Sequence, residues 1–267
     1  MFTEYLTRWH LTPDGDPIVT HSSALLPVRQ HGMPAMLKVA AEAEEKRGGL
    51  VMSWWNGEGA ARVLAQDSNA LLLERAMGSR SLAEYTRTER DDEATHIICA
   101  AIAALHKHDA KPPPNLVPLT PWFKELWPAA EKHGGILARS ATTARELLVH
   151  PQDAVVLHGD IHHDNVLDFG ERGWLAIDPK GLIGERGFDY ANLFCNPETD
   201  IAVTAPDRFK RRLAIVTEAS AIKRERLLQW ILAWAGLSAA WWLSDGVHPE
   251  IDFRIAELAA RDLSLSP

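Results

Sequence analysis

The stretch HGDIHHDNVLDFGERGWLAIDPK, residues 158–180, concentrates side chains that can bind a metal ion or move a proton. It contains Asp160, then Asn165 five residues later, and then two further aspartates, Asp168 in LDFG and Asp178 in AIDPK. Apolar runs on both sides of a glycine-bounded turn predict a β-hairpin here. Either of the two later aspartates could ligate a metal ion, and the geometry of the hairpin decides between them.

The expected register of the hairpin favours Asp178 as the ligand. With residues 170–173 as the loop, Asn165 stands opposite Asp178, whereas Asp168 stands opposite Leu175 near the turn. Directly opposed side chains of an antiparallel ladder have Cβ atoms about 4.5–5.5 Å apart and point to the same face. We therefore predict that Asn165 and Asp178 converge on one metal ion and that LDFG is a coincidence of sequence. An amide oxygen beside a carboxylate suits Mg²⁺.

The spacing of these residues also indicates a reaction. A base aspartate, an asparagine five residues on and a metal-binding aspartate at the end of a hairpin match the phosphoryl-transfer arrangement of protein kinases. In that arrangement Asp160 accepts the proton of the acceptor hydroxyl, and Asn165 and Asp178 bind Mg²⁺. The cofactors expected are therefore ATP and Mg²⁺.

A hydrolytic zinc site is the alternative for the same stretch. His158, His162, His163 and Asp164 form a histidine-rich cluster of the kind that binds zinc. Their spacing has no helical or strand period that would aim the rings at one point, and a zinc site leaves the asparagine and the last aspartate unexplained. We interpret His158 as a structural histidine that hydrogen-bonds the catalytic loop.

A kinase also needs a lysine for the α- and β-phosphates and an acidic residue that orients this lysine. Lys38 in PAMLKVA lies on a predicted early strand. Glu42, Glu44 and Glu45 follow on the next predicted helix, and we select Glu45 because it leaves a few residues for the strand-to-helix turn. The alternative for AEAEEK is a solvated helix face.

Two further segments complete the predicted nucleotide site. LLLERA places Glu74 and Ala76 after a β-type run, where main-chain groups can accept adenine. A G-x-G-x-x-G motif does not occur between the first two strands. Ser22 and Ser23 of THSSALLP stand there instead, with hydroxyls and amides that can cover phosphates. A short polar turn is the alternative for these serines.

The elements that must position these residues fall into two groups. The first part of the chain has short strands around one helix, and from about residue 80 the pattern is helical, with 155–180 as a strand-like block. The predicted strands are 18–21, 25–29, 36–39 and 71–73, and the predicted helices are 40–55, 91–108, 121–150 and 207–263. We predict an α+β, two-lobed protein-kinase-like fold, with a mainly-β lobe at 1–76 and a mainly-α lobe at 77–267.

Composition limits the class of protein. Of 267 residues, 46% are hydrophobic and 24% are charged, which is typical of a soluble globular protein. The formal net charge of −8 argues against nucleic-acid binding, which needs clustered cations. Cys99 and Cys195 lie in apolar runs, which indicates buried thiols and a reducing cytoplasm. The stretch LLQWILAWAGLSAAWWL is marginal for a membrane span and predicts a core helix, without membrane contact.

Several motifs together resemble a known family. HGDIHHDN, WLAIDPKGLIGERGFDYANLFCNP, LLLERA and WWNGEGAARVLA are similar to the aminoglycoside phosphotransferases, in particular to the streptomycin 6-phosphotransferase and hydroxyurea-resistance kinase branch. The resemblance runs over most of the chain. It implies a kinase-like fold and transfer of the γ-phosphoryl group of ATP to an aminoglycoside hydroxyl, in particular the 6-hydroxyl of streptomycin. It carries the base onto Asp160, the Mg²⁺ ligands onto Asn165 and Asp178, and the phosphate clamp onto Lys38.

The resemblance further implies an acceptor pocket in the helical part of the chain. Because streptomycin carries cationic guanidinium groups, carboxylates should line this pocket. The candidates are Glu185, Asp189 and Asp245, with His163 beside them on the catalytic loop, and Asp189 should also support that loop. The expected partner is thus a small cationic acceptor molecule. The protein itself is expected to be a monomer or a homodimer. A kinase of another small hydroxylated metabolite and a non-catalytic nucleotide-binding module are the alternatives.

Overall fold

A computed structural model describes residues 1–20, 22–198 and 200–265 of the chain. Its first elements are α1 (Thr3–Arg8), β1 (Leu11–Pro13), β2 (Ile18–Val19), β3 (Ser23–Gln30), β4 (Met33–Ala40), α2 (Ala43–Trp55), β5 (Val63–Gln66) and β6 (Ala70–Glu74). Within the described residues, these six strands form one antiparallel sheet in the order β1-β3-β4-β6-β5, with β2 paired to β3. This sheet and α2 form the first lobe.

The hairpin of β3 and β4 forms because its two-residue turn accepts a left-handed backbone. His31 and Gly32 have φ angles of 51° and 81°, the conformation that tight hairpin turns require. Lys38 lies on β4, opposite Leu25 of β3 and Leu71 of β6. A strand with partners on both sides therefore fixes the backbone of Lys38.

The sheet is larger than the sequence predicts. The helix α1 and the strands β1 and β5 were not predicted, because each is short and β5 alternates half-buried with exposed residues instead of forming an apolar run. The strand predicted at 18–21 is confined to β2, and His21 lies outside the described residues.

The remaining helices form the second lobe. They are α3 (Leu82–Tyr85), α4 (Asp91–His106), α5 (Leu119–Trp122), α6 (Leu126–His133), α7 (Gly135–Val149), α8 (Gly187–Asn192), α9 (Pro206–Ser220), α10 (Arg224–Ser244) and α11 (Glu250–Ser264). The two-lobed α+β architecture agrees with the prediction. The boundary predicted at residue 76 falls between β6 and α3 and stays a prediction.

The helix α10 organises the core of this second lobe. It packs against α7, α8 and α11. Among the described residues it is long and apolar enough to cross a membrane. However, 72% of its apolar 18-residue stretch is buried inside the protein, as expected of a core helix. Trp230 on α10 leaves room only for glycine at Gly187 of α8. Since a fully buried large apolar side chain contributes about 1.5–3 kcal/mol, this packing holds α8 firmly in place.

Short strands interrupt the helices and carry the chemistry. They are β7 (Val117–Pro118), β8 (Ala154–Leu157), β9 (Val166–Asp168), β10 (Trp174–Ala176) and β11 (Leu182–Glu185). The strands β9 and β10 form the predicted hairpin, while β11 lies between β7 and β8. The strand β11 was not predicted, because its sequence LIGE has only two large apolar residues. Its pairing with β8 brings the two ends of the 158–181 segment together.

The hairpin register differs from the prediction by one residue. Asp168 pairs with Trp174 rather than with Leu175. Phe169 leaves the ladder, and its N–H donates to the Gly173 carbonyl oxygen at 2.8 Å, so that the loop includes residue 169 as well as 170–173. A 3₁₀ turn within this loop accommodates the additional residue.

The shift takes Asn165 out of opposition to Asp178. The N–H of Ile177 donates to the Asn165 carbonyl oxygen at 2.9 Å, so that Ile177 takes the partner position. Asp178 lies beyond the ladder with a left-handed φ of 64°. The predicted pairing is therefore wrong, and the backbone after the ladder, rather than the ladder itself, sets the direction of the Asp178 side chain.

Gly48 of α2 controls how closely this helix approaches the segment after Asp178. A Cβ atom at position 48 would overlap the main-chain carbonyl oxygen of Pro179. We expect Gly48→Ala to lower the free energy of unfolding by about 1–3 kcal/mol, the usual cost of overpacking, despite the better helix propensity of alanine. Urea unfolding measures this change. Lys46→Ala, at an exposed position of the same helix, should change stability by less than about 0.5 kcal/mol. Unchanged stability of Gly48→Ala would contradict the packing.

Candidate active site

His158 connects the catalytic loop to the segment that carries Asp178. The ring is buried, its Nε2 donates to the Ile177 carbonyl oxygen at 2.7 Å, and its Nδ1 accepts from the Asp160 N–H at 3.3 Å. Burial lowers the pKa of His158, so the ring is neutral and can accept and donate at once. This agrees with the structural role predicted for His158.

Asp189 anchors the same loop from α8. Its carboxylate accepts hydrogen bonds from the N–H of His158 at 2.9 Å, from the N–H of Gly159 at 2.8 Å and from Nε2 of His106 at 2.8 Å. Burial acts to raise the pKa of Asp189, but the hydrogen bond and charge of His106 outweigh it and lower the pKa. A buried carboxylate with these donors holds the loop, as predicted, but it is not free to bind an acceptor, so the predicted acceptor role of Asp189 is wrong.

Asp160 is an accessible carboxylate of the loop, with a side chain that is 36% exposed. Nδ2 of Asn192 donates to its Oδ1 at 3.3 Å, and Asn196 in turn donates to Oδ1 of Asn192 at 2.7 Å. Sequence reasoning missed Asn192. The available signal was its spacing from Asp189, since residues three apart on a helix share a face. One face of α8 therefore positions both the loop and the predicted base.

The predicted metal ligands lie close to this carboxylate. Nδ2 of Asn165 donates to the Asp160 carbonyl oxygen at 2.8 Å, which leaves the amide oxygen as the remaining ligand atom. The Asp178 carboxylate forms an ion pair with Lys38. Burial acts to raise the pKa of Asp178, but Lys38 and Lys180 outweigh it and lower the pKa, so that the group is ionised. An amide oxygen and an ionised carboxylate are the hard ligands that Mg²⁺ requires.

Lys38 also forms an ion pair with Glu45, which is buried on α2. The hydroxyl of Ser22 donates to Oε1 of Glu45 at 2.8 Å. Glu42 precedes the first turn of α2, and Glu44 points to Lys180 instead, at 3.8 Å. Of the glutamates considered from the sequence, Glu45 is thus the one that pairs with Lys38.

Lys180 was not among the predicted site residues, although it lies only two positions after Asp178. Its Nζ is 3.6 Å from Asp178 and 3.7 Å from Asp160, and Glu44 and Glu45 are within 3.9 Å. Burial acts to lower the pKa of Lys180, but these carboxylates outweigh it and raise the pKa. Among the described residues, carboxylates outnumber ammonium groups four to two in this cluster, so the cluster carries a net negative charge.

Asp168 belongs to a different part of the molecule. It accepts two hydrogen bonds from the Arg80 guanidinium, at 2.7 and 2.8 Å, and its carbonyl oxygen accepts from the Gly78 N–H at 2.9 Å. The Arg80 hydrogen bonds hold the pKa of Asp168 well below its usual range. Asp168 therefore fastens the segment that follows β6 to the hairpin, and its carboxylate is occupied.

The remaining predicted nucleotide residues are placed less uniformly. Glu74 ends β6, where its carboxylate accepts from the Arg62 N–H at 2.6 Å and pairs with Arg172, and Ala76 follows in irregular backbone. The adenine-binding role of their main chain stays a prediction. The hydroxyl of Ser23, in contrast, is buried and lies 3.1 Å from that of Thr20. The prediction that the Ser23 hydroxyl covers phosphates is therefore wrong.

A cavity of about 600 Å³ opens beside Asp160. Its wall includes exposed carboxylates and a group of tryptophans, which are Glu84, Asp164, Glu198, Asp245, Trp234, Trp241 and Trp242. Of these residues only Asp245 was predicted to contact an acceptor, because no single motif joins Glu84 and Glu198 to the end of α10. A cavity of this volume can hold a small-molecule ligand.

Two further acceptor candidates lie outside this cavity. Glu185 is buried at the end of β11, where Arg226 and Nε1 of Trp230 donate to its carboxylate. His163 is 2% exposed, and burial lowers its pKa well below the usual range. The predicted acceptor roles of Glu185 and His163 are therefore wrong, because both side chains are buried within the protein.

The zinc alternative finds no support in the described residues. In the ranges 1–20, 22–198 and 200–265, no group of three or more His, Cys, Asp or Glu side chains is arranged to hold a metal ion. Cys99 and Cys195 are both buried and unpaired by disulfides, as predicted.

Known proteins are similar to this chain in sequence or in fold. The family model described as "Aminoglycoside/hydroxyurea antibiotic resistance kinase" matches residues 8–246. Streptomycin 3''-kinase of Klebsiella pneumoniae is 51% identical over 96% of the chain and 99% of the relative. Streptomycin 6-kinase of Streptomyces griseus is 34% identical over 90% of the chain and 81% of the relative.

A solved structure with a similar fold is a thermostable mutant of aminoglycoside phosphotransferase APH(4)-Ia in ternary complex with AMP-PNP and hygromycin B. The TM-score is 0.67 at 13% identity, and the match covers 94% of each chain. At this identity the likeness concerns the fold, which is protein-kinase-like as predicted. The chain therefore belongs to the aminoglycoside/hydroxyurea antibiotic resistance kinases and is an enzyme of the aminoglycoside phosphotransferase family.

Proposed function

We propose that this enzyme transfers the γ-phosphoryl group of ATP to a hydroxyl of streptomycin. The observation that carries the proposal is the position of Asp160. Its carboxylate lies on the wall of the acidic, tryptophan-lined cavity and also 3.7 Å from Lys180, which belongs to the Lys38–Asp178 charge cluster. A base at the junction of an acceptor cavity and a phosphate site is what phosphoryl transfer requires.

In the proposed reaction Asp160 accepts the proton of the acceptor hydroxyl while the oxygen attacks the γ-phosphorus. The bond between this phosphorus and the β-phosphate oxygen breaks, and ADP leaves with its electron pair. Asn192 keeps the Asp160 carboxylate directed at the cavity. Lys38, held by Glu45, is placed to bind the α- and β-phosphates. Mg²⁺, for which Asn165 and Asp178 are suitable ligands, would neutralise charge on the β- and γ-phosphates.

The cavity wall supports a cationic acceptor. Glu84, Glu198 and Asp245 are exposed carboxylates that can form charge-assisted hydrogen bonds with guanidinium groups. Trp241 and Trp242 offer ring faces for cation–π contacts. We place this activity in the cytoplasm, where the nucleotide is supplied.

Two hydroxyls of streptomycin are candidates for phosphorylation. The 51% identity to a streptomycin 3''-kinase over nearly the whole of both chains favours the 3''-hydroxyl. The 6-hydroxyl expected from the sequence is the second candidate, supported by the 34% identity to a streptomycin 6-kinase. We propose the 3''-hydroxyl.

The proposal is tested by ATP consumption with Mg²⁺ against streptomycin, other aminoglycosides and hydroxylated metabolites, with product masses recorded. We expect phosphorylated streptomycin, and a loss of at least about 10²-fold in turnover for Asp160→Asn, the low end of general-base effects. Asp92→Asn, which alters a half-exposed aspartate on α4, serves as the control and should retain wild-type turnover. Bound nucleotide without turnover of any aminoglycoside would move the function to another metabolite.

The phosphorylated position can be read from fragment masses. Phosphorylation of the 3''-hydroxyl places the added mass on the amino-sugar fragment, whereas the 6-hydroxyl places it on the fragment that carries the guanidinium groups. We expect the amino-sugar fragment to carry it. Added mass on the guanidinium-bearing fragment would instead assign the enzyme as a 6-kinase.

The two competing aspartates can be separated by nucleotide binding. We expect Asp178→Ala to abolish the Mg²⁺-dependent part of ATP affinity, because it removes a ligand carboxylate. Asp168→Asn should leave this affinity intact, since asparagine can still accept a hydrogen bond from Arg80. Isothermal titration with and without Mg²⁺ measures both. Loss of Mg²⁺ dependence in Asp168→Asn alone would assign the metal to LDFG.

A further inference from the structure

We infer that Lys180 binds the γ-phosphoryl group of the nucleotide and compensates the negative charge of this group during transfer, an inference that rests on the proposed function. Lys180 would then be a catalytic residue that distinguishes a nucleoside triphosphate from a nucleoside diphosphate. Lys38 has a separate task at the α- and β-phosphates.

The position of the Lys180 ammonium is the first reason. Its Nζ lies between the predicted base and the predicted metal ligand, 3.7 Å from Oδ2 of Asp160 and 3.6 Å from Oδ2 of Asp178. In the proposed reaction, the γ-phosphoryl group passes between these two side chains as it is transferred. The Lys180 side chain is 16% exposed and lines a cavity of about 810 Å³ together with Gly159 and Asp160, so a ligand can reach it.

The free donors of the ammonium are the second reason. Its carboxylate neighbours lie 3.6–3.9 Å away, and within the part of the chain that the structure describes Nζ makes ion pairs but no hydrogen bond at normal distance. Lys38 differs, because its ammonium already contacts both Glu45 and Asp178 directly. A phosphoryl oxygen would give Lys180 the short hydrogen-bond acceptor that the protein does not provide.

The backbone around Lys180 is the third reason, because it ties the lysine to the catalytic loop. The Lys180 N–H donates to the His158 carbonyl oxygen at 2.8 Å. A Cβ atom at Gly159 would be 3.2 Å from Cβ of Lys180, and one at Gly181 would be 2.7 Å from Cβ of Arg47. These two glycines allow close approach on both sides. The main chain of Lys180 is therefore held next to the loop that carries Asp160.

This geometry assigns a chemical task. During transfer the P–O bond to the β-phosphate breaks, a P–O bond to the acceptor oxygen forms, and the hydroxyl proton passes to Asp160. The three peripheral oxygens of the moving phosphoryl group hold negative charge throughout. A fixed ammonium that donates to one of them stabilises the group and reduces its repulsion from the Asp160 carboxylate.

The alternative is that Lys180 only balances the surrounding carboxylates. Nucleotides with and without a γ-phosphate distinguish the two roles. With Mg²⁺ present, we expect Lys180→Met to weaken AMP-PNP binding by about 10-fold, the size of one charge-assisted hydrogen bond. ADP binding should stay within about 2-fold, and turnover should fall more than nucleotide affinity does. Lys180→Arg keeps the charge and should restore most of the preference for AMP-PNP.

Lys124→Met is the matched control, because Lys124 lines the same cavity with a side chain that is 75% exposed. It should bind both nucleotides as the wild type does, and thermal unfolding verifies that each variant is folded. Equal weakening of AMP-PNP and ADP in Lys180→Met, or no weakening, would overturn the assignment. A wild-type enzyme that binds AMP-PNP and transfers phosphate to an acceptor other than streptomycin would leave the role of Lys180 standing while the proposed acceptor fails.

Discussion

The site depends on an alternating row of charges that crosses the cleft between the two lobes. Glu45 on α2, Lys38 on β4, Asp178, Lys180 and Asp160 follow one another with alternating sign. Each member has a partner of opposite charge on either side except at the ends, and partly buried pairs attract more strongly than exposed ones. Displacement of α2 is therefore transmitted to the predicted base. The close contact of Gly48 with Pro179 fixes the row at its first end.

The other end of this row is fixed by a buried carboxylate. The Asp189 side chain has no exposure to water, so its charge is tolerated only while His106 and the N–H groups of His158 and Gly159 donate to it. Loss of one donor would leave a buried charge undercompensated, which is costly. The loop of Asp160 is thereby held in one conformation. The packing of α8 on α10 supplies the rigid base for this anchor.

The phosphoryl-transfer half of the site was largely predictable because its residues are close in sequence and its elements are regular. Lys38 follows from its strand, and Glu45 from the first turn of the next helix. The hairpin register was not predictable, since Phe169 leaves the ladder for a turn that a count of glycines does not reveal. Asp178 reaches Lys38 because its backbone is left-handed, and not because a ladder partner directs its side chain as predicted.

Of the acceptor half only Asp245 was among the predicted residues, and the reason is physical. Glu84, Glu198 and Asp245 lie far apart in sequence and are exposed, so neither local spacing nor burial marks them. They are not tied into the network of Asp189, whereas Glu185 is bound by Arg226 and Trp230 inside the core. Substitutions on the cavity wall can therefore change the acceptor without disturbing Asp160. The same fold can in this way serve different acceptors, and the identity of the acceptor depends on the wall rather than on the motifs.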